Sequence, residues 1–81
     1  MDNRVAVISI IVTNSENIEQ LNKILHEYAE FVIGRMGIPY KVKNINIICL
    51  AVDAPQDVIS ALSGKLGRLN GVTVKTALAK A

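Results

Sequence analysis

The stretch VAVISIIV, residues Val5–Val12, is apolar at nearly every position and rich in β-branched side chains. A second stretch of the same kind, INIICLAV, spans Ile45–Val52. A strand with one face in water alternates apolar and polar residues, whereas these two stretches carry apolar residues on both faces. We therefore predict that they form the central pair of strands in one sheet.

The residues after the first stretch favour a turn and then a long helix. Thr13-Asn14-Ser15 supplies turn and N-cap chemistry, and a helix is predicted from there to about Met36, with apolar residues at three- and four-residue steps. The apolar stripe consists of Ile18, Leu21, Ile24, Leu25, Tyr28, Phe31 and Val32. This spacing predicts a helix with one side packed on the sheet.

An edge strand is predicted next. Over Ile38–Lys43, apolar residues alternate with Pro39, Lys41 and Lys43. Proline and lysine suit the edge of a sheet, because proline lacks a backbone donor and lysine opposes pairing with further strands. Asn44 then makes a tight connection to the second central strand.

The remaining chain predicts a second helix and a fourth strand. Asp53 has the chemistry of a helix cap, and Pro55 suits the first turn. The stripe of this helix consists of Val58, Ile59, Leu62, Leu66 and Leu69. Asn70-Gly71 ends the helix, and apolar residues alternate over Val72–Leu78 as the last strand.

The order of elements is strand, helix, strand, strand, helix, strand. This order predicts an α+β fold, a ferredoxin-like βαββαβ sandwich with an antiparallel four-stranded sheet and two helices on one face. The 81 residues suffice for a single domain, residues 1–81.

Helices on one face leave the other face of the sheet open. We expect Ile8, Ile10, Val12, Ile48, Leu50 and Val52 to face the helices. The open face then carries Val5, Val7, Ser9, Ile11, Ile45, Ile47, Cys49 and Ala51. An apolar patch of that size is a liability on a monomer, so we predict a homo-oligomer, either a homodimer or a homotetramer.

Composition narrows the function classes. Nine basic against seven acidic residues, a net charge of +2, is too balanced to favour direct nucleic-acid binding. One cysteine, Cys49, and one histidine, His26, allow neither an internal disulfide nor a metal site within one subunit, and we expect no cofactor.

The sequence also gives no sign of catalysis or of membrane insertion. It shows no cluster of acid, base and nucleophile side chains, so we assign no catalytic residues. We expect no membrane span, and a cytoplasmic protein.

Two polar segments have features of ligand-binding motifs, and one of them is a candidate site. Ser63-Gly64-Lys65 resembles a phosphate loop only superficially, because it lies late in a predicted helix and lacks the earlier glycine. Asn14 and Ser15 offer polar side chains at a helix start, where backbone amides attract an anionic group. The alternative for Asn14 and Ser15 is that they only cap the helix.

Two strings in the chain point to a family. Leu62–Thr76, with the sequence LSGKLGRLNGVTVKT, and Gly34–Pro39, with the sequence GRMGIP, resemble a small family of iron-only hydrogenase system regulators, and the resemblance runs from about Arg4 to Lys80. The fold of that family is similar to ACT domains and to the C-terminal domain of the nickel-responsive repressor.

The resemblance implies a regulatory oligomer that binds an unknown small-molecule effector near a subunit interface. In ACT domains, ligands bind at the turn after the first strand, which corresponds to Asn14 and Ser15 here. A nickel site like that of the repressor requires several histidines, so the resemblance does not extend to a metal. A structural or protein–protein interaction module with no small-molecule ligand remains the alternative function.

Overall fold

The computed structural model describes residues 2–13 and 15–80, and within them the chain forms one four-stranded sheet and two α-helices. The elements are β1 (Asn3–Val12), α1 (Ile18–Glu27), β2 (Val32–Tyr40), β3 (Ile45–Pro55), α2 (Gln56–Gly67) and β4 (Val72–Leu78). The strand order is β2-β3-β1-β4, and all pairings are antiparallel. The predicted ferredoxin-like α+β fold is therefore confirmed.

The core lies between the helices and one face of the sheet. Alternate residues of the two central strands are at most 7% exposed: Ala6, Ile8, Ile10 and Val12 on β1, and Ile48, Leu50, Val52 and Ala54 on β3. The helices contribute Leu21, Ile24, Leu25, Ile59, Leu62 and Leu66. Burying each large side chain contributes about 1.5–3 kcal/mol, and this layer therefore holds the helices on the sheet. The six residues expected to face the helices are all buried.

The first helix is shorter than the apolar stripe predicted. α1 ends at Glu27, a 3₁₀ turn spans Ala29–Phe31, and β2 begins at Val32. The prediction of a helix to about Met36 is wrong because the segment after Phe31 pairs with β3, where Val32 lies opposite Val52. β-Branched residues and two glycines favour this pairing over continued helix.

The second helix begins later than predicted. Asp53 is not its cap, because β3 continues to Pro55 and Asp53 pairs with Val5 of β1. β1 extends back to Asn3 and so offers hydrogen-bonding partners to the end of β3. Pro55, with an extended backbone, precedes α2, and the Asp57 carboxylate accepts a hydrogen bond from the backbone N–H of Val58 at 3.0 Å.

Turns position the edge strands. β2 is an edge strand, as predicted, although the following lysines lie in a 3₁₀ turn, Lys41–Lys43, and not in the strand. Asn44 adopts the left-handed conformation at φ 54°, which asparagine tolerates better than most residues, and it makes the tight connection to β3. α2 ends at Gly67, ahead of Asn70-Gly71, and Gly71 at φ 77° turns the chain into β4.

Candidate functional site

The side of the sheet away from the helices is a continuous surface, here called the open face. Residues directly opposite each other in antiparallel strands share a face, so the register defines its members. They are Val5, Val7, Ser9 and Ile11 of β1; Gly34, Met36, Ile38 and Tyr40 of β2; Ile45, Ile47, Cys49, Ala51 and Asp53 of β3; and Thr73, Lys75 and Ala77 of β4. The open-face residues expected from β1 and β3 all lie here.

Large apolar side chains on the open face are in contact with water. Ile11 is 41% exposed and Met36 is 57% exposed, although both belong to paired strands of the sheet. Of the residues of the open face, Asp53 and Lys75 carry charge. The surface is therefore mainly apolar and close to neutral.

Two rows of side chains cross the open face from edge to edge. One row joins Ile38, Ile47, Ile11 and Thr73, and the other joins Met36, Cys49, Ser9 and Lys75. The sequence predicts Met36 at a helix end and Ile38 in an edge strand, and so it assigns neither residue to the open face. An alternation from Gly34 to Tyr40 was the signal that could have revealed them.

The turn after β1, the predicted ligand site, contacts the connection between α2 and β4. The backbone N–H of Thr13 donates to the carbonyl oxygen of Gly71 at 2.7 Å, and its hydroxyl donates to the same oxygen at 3.1 Å. The side-chain amide of Asn17 donates to the carbonyl oxygen of Asn70 at 2.9 Å. These contacts attach the start of the first helical segment to the connection between α2 and β4.

Ser15 is exposed and begins the 3₁₀ turn Ser15–Asn17, whereas Asn14 lies outside the described residues. Asn17 precedes α1 at the N-cap position, but its side chain makes no capping hydrogen bond. Ligand binding by Asn14 and Ser15 stays a prediction.

Cys49 and His26 lie on opposite sides of the sheet. Cys49 is half-buried in the open face, and His26 is exposed in the last turn of α1. A cysteine nucleophile needs a base within hydrogen-bonding distance, and this arrangement does not bring the imidazole to the thiol. Within residues 2–13 and 15–80, no three His, Cys, Asp or Glu side chains group in a way that would hold a metal ion.

Ser63-Gly64-Lys65 lies inside α2 and connects that helix to its neighbours. The Ser63 and Thr76 hydroxyls are hydrogen-bonded at 2.7 Å. The Lys65 Nζ lies 5.0 Å from the centre of the Tyr28 ring and 3.9 Å from a carboxylate oxygen of Glu27. Hydrogen bonding and charge interaction with Tyr28 raise the pKa of Lys65, and Glu27 acts in the same direction. The segment joins α2 to β4 and α1, and it does not form a phosphate loop.

Comparison with known proteins identifies the family. Residues 4–76 match the model of the TM1266-like family, described as "Iron-only hydrogenase system regulator, putative". The chain belongs to this family. The solved structure of the uncharacterized protein TM1266 from Thermotoga maritima is 38% identical, with a TM-score of 0.94, over 98% of this chain and 100% of that one. The family indicated by the two sequence strings is therefore confirmed.

A second solved structure is similar in fold alone. A formyltetrahydrofolate deformylase from Pseudomonas putida KT2440 matches 90% of this chain with a TM-score of 0.64 and 9% identity, and the match covers 28% of the deformylase. No curated protein matches the chain significantly. Neither of the helices in residues 2–13 and 15–80 is long and apolar enough to cross a membrane.

Proposed function

We propose that this chain is a regulatory domain without catalytic activity, which acts in the cytoplasm as a homo-oligomer that pairs through the open face. The observation that carries the proposal is the exposure of Val7, Ile11, Met36 and Ile38 at 41–57% on a single surface. Contiguous apolar surface of this kind marks an interface in soluble proteins, because water contact with it is unfavourable.

A second copy of the chain is the partner that the open face suits best. A two-fold axis brings the same surface of each subunit together, so apolar rows on one face pack against apolar rows on the other. Asp53 and Lys75 have opposite charges, so such pairing introduces no excess of one sign. Nucleic acid requires a concentrated positive surface, which this near-neutral face does not provide.

Regulation by a small molecule is the second part of the proposal. The family description supports a regulatory role in an iron-only hydrogenase system. The resemblance to ACT domains noted from the sequence supports control by an effector. An interaction module without a small-molecule ligand is the second candidate, because the open face alone suffices for it. A thermal-shift screen with carboxylates and phosphates separates the two functions, since only the effector-binding domain is stabilised.

Light scattering coupled to size exclusion tests the assembly. The native chain is expected to elute with the mass of a dimer or tetramer at micromolar concentration. Ile11→Lys places a charge on the open face, on the central strand β1, and is expected to give a monomer, because a lysine there would be buried in the assembly without a partner. Val42→Lys is the matched control, since Val42 is 82% exposed in the Lys41–Lys43 turn, outside the sheet.

The control variant is expected to keep the native mass. A monomeric native chain would overturn the proposed assembly. Equal dissociation by both lysine variants would show that added charge, and not the open face, decides the outcome. Circular dichroism of both variants checks that each is folded.

A further inference from the structure

A cavity of about 330 Å³ lies on the helix side of the sheet, between the edge strand β2 and α1. Gly37 creates it. This residue lies opposite the buried Ile48, so a side chain at position 37 would point toward the helix layer. A Cβ atom built there meets no heavy atom within 4 Å. The space exists because β2 has a glycine, and therefore no side chain, at the position that faces α1.

Apolar side chains form the inner wall of the cavity. Leu21 is fully buried, Ile48 is 7% exposed, and Ile18 is half-buried against the core. All three line the space left by Gly37. An apolar ligand group that entered would leave water for a preformed surface, which is the usual source of affinity in small-molecule sites.

Polar groups lie around the mouth of the cavity. Arg35 extends from β2 toward α1, where its Nη2 donates to the side-chain oxygen of Asn22 at 3.2 Å. Asn46 of β3 lines the same space. Among the described lining residues Arg35 carries the only charge, and no carboxylate lies among them.

We propose that this cavity binds a small monocarboxylic acid with a branched apolar body. The carboxylate would accept hydrogen bonds from the Arg35 guanidinium, and the body would occupy the space over Gly37, against Leu21 and Ile48. A guanidinium group has five N–H donors in a planar fork that matches a carboxylate, and the bond to Asn22 uses one of them. That bond also holds the fork on the cavity side of β2, which lowers the cost of ordering it when a ligand binds.

Charge and size restrict the ligand class. An amine or an amino acid would bring an ammonium group, for which the described lining offers no carboxylate partner. The volume of about 330 Å³ is near the lower limit of ligand cavities, roughly 300–1,000 Å³, so it suits an acid of about eight non-hydrogen atoms and not a nucleotide. This proposal names a chemical class for the effector in the small-molecule regulation proposed above, and it rests on that proposed function.

The test is a titration followed by ¹H–¹⁵N correlation spectra, with 4-methylpentanoate as the probe. The amides of Asn22, Arg35, Gly37 and Ile48 are expected to shift in a saturable manner. 4-Methylpentan-1-ol has the same body without the charge, and it is expected to bind at least about tenfold more weakly, since a hydrogen bond to a charged group contributes about 1.5–3 kcal/mol. Equal binding of acid and alcohol would overturn the role of Arg35.

Two valine variants provide a matched pair. Gly37→Val fills the cavity and is expected to abolish the shifts, whereas Gly34→Val is expected to keep them. Both glycines lie in β2 with nothing within 4 Å of a built Cβ, but Gly34 pairs with Ala51 on the open face. Saturable shifts that persist in Gly37→Val, or no saturable shift in the native chain, would overturn the proposal.

The titration is repeated in the Ile11→Lys variant, because Ile11 is not one of the residues that line the cavity. Binding by this variant is expected to equal binding by the native chain. Failure of the acid to bind therefore rejects the cavity site and leaves the assembly proposal standing. A monomeric native chain rejects the assembly and leaves the cavity site standing.

Discussion

Ile11 and Ile47 lie directly opposite each other in the two central strands, on the side of the sheet that faces away from α1 and α2. Ile11 is 41% exposed, whereas its neighbour in the chain, Ile10, is completely buried. The innermost strands of the fold thus have one side in the core and an apolar side in water. This contrast motivates the proposed pairing of subunits.

The thermal midpoint of the native chain is expected to rise with protein concentration. If unfolding includes dissociation, each tenfold increase in concentration favours the folded dimer by about 1.4 kcal/mol. Circular dichroism melts over a hundredfold range of concentration measure the effect. The Ile11→Lys variant should melt at the same temperature throughout that range. A native midpoint independent of concentration would contradict assembly through this face.

Cys49 is expected to react slowly with a thiol reagent in the native assembly and faster in the Ile11→Lys variant. The thiol is half-buried in the open face, so a second subunit on that face would shield it. Cys49→Ala should keep the fold and the oligomeric mass at a cost of roughly 1 kcal/mol in the free energy of unfolding. Rapid labelling of the native chain, equal to that of the variant, would argue against a structural role at an interface.

Leu66→Ala is expected to lower the free energy of unfolding by about 3 kcal/mol, because Leu66 of α2 is completely buried and its loss leaves a cavity. Leu78→Ala is the matched control. Leu78 ends the edge strand β4 and is 38% exposed, so the same truncation should cost less than about 1.5 kcal/mol. Urea denaturation of both variants measures the difference. An equal loss of unfolding free energy in the two variants would contradict a core between the helices and the sheet.

Two glycine-to-alanine changes near the end of α2 are expected to have opposite signs. Gly71 has φ 77°, where a Cβ atom is strained, so Gly71→Ala should destabilise the chain by about 1 kcal/mol or more. Gly67 closes α2 with nothing within 4 Å of a built Cβ, so Gly67→Ala should stabilise by up to about 1 kcal/mol. Chemical denaturation of the two variants gives the signs directly.

The sequence predicted the sheet well because its two central strands carry an unmistakable signal. Apolar residues on both sides of Val5–Val12 and Ile45–Val52 favour burial of both faces of these strands. Because side chains alternate along a strand, the sequence also assigns each of these residues to one face. The family strings at Gly34–Pro39 and Leu62–Thr76 added an independent indication of the fold. Both signals lie in short contiguous stretches of the chain, so they can be recognised without knowledge of which distant residues are in contact.

The boundaries that the sequence missed depend on contacts between distant residues. Val32 fits a helical stripe as well as a strand, and pairing with β3 decides between the two. Asp53 has the chemistry of a cap, but the extension of β1 to Asn3 holds it in a strand. The cavity at Gly37 is defined by a missing side chain, and it becomes visible only when the register shows that this glycine faces α1.

Ser15→Ala is expected to leave the response to 4-methylpentanoate unchanged, and this variant decides between two places for an effector. Ser15 lies in the turn before α1, where we predict a ligand from the resemblance to ACT domains, whereas the cavity lies over Gly37. Loss of the exposed hydroxyl should lower stability by no more than about 1 kcal/mol. The increase in melting temperature that the acid or inorganic phosphate produces, measured against the same variant without ligand, should match the increase in the native chain. If Ser15→Ala removes the stabilisation and Gly37→Val keeps it, the effector binds at the turn and the cavity is not the site.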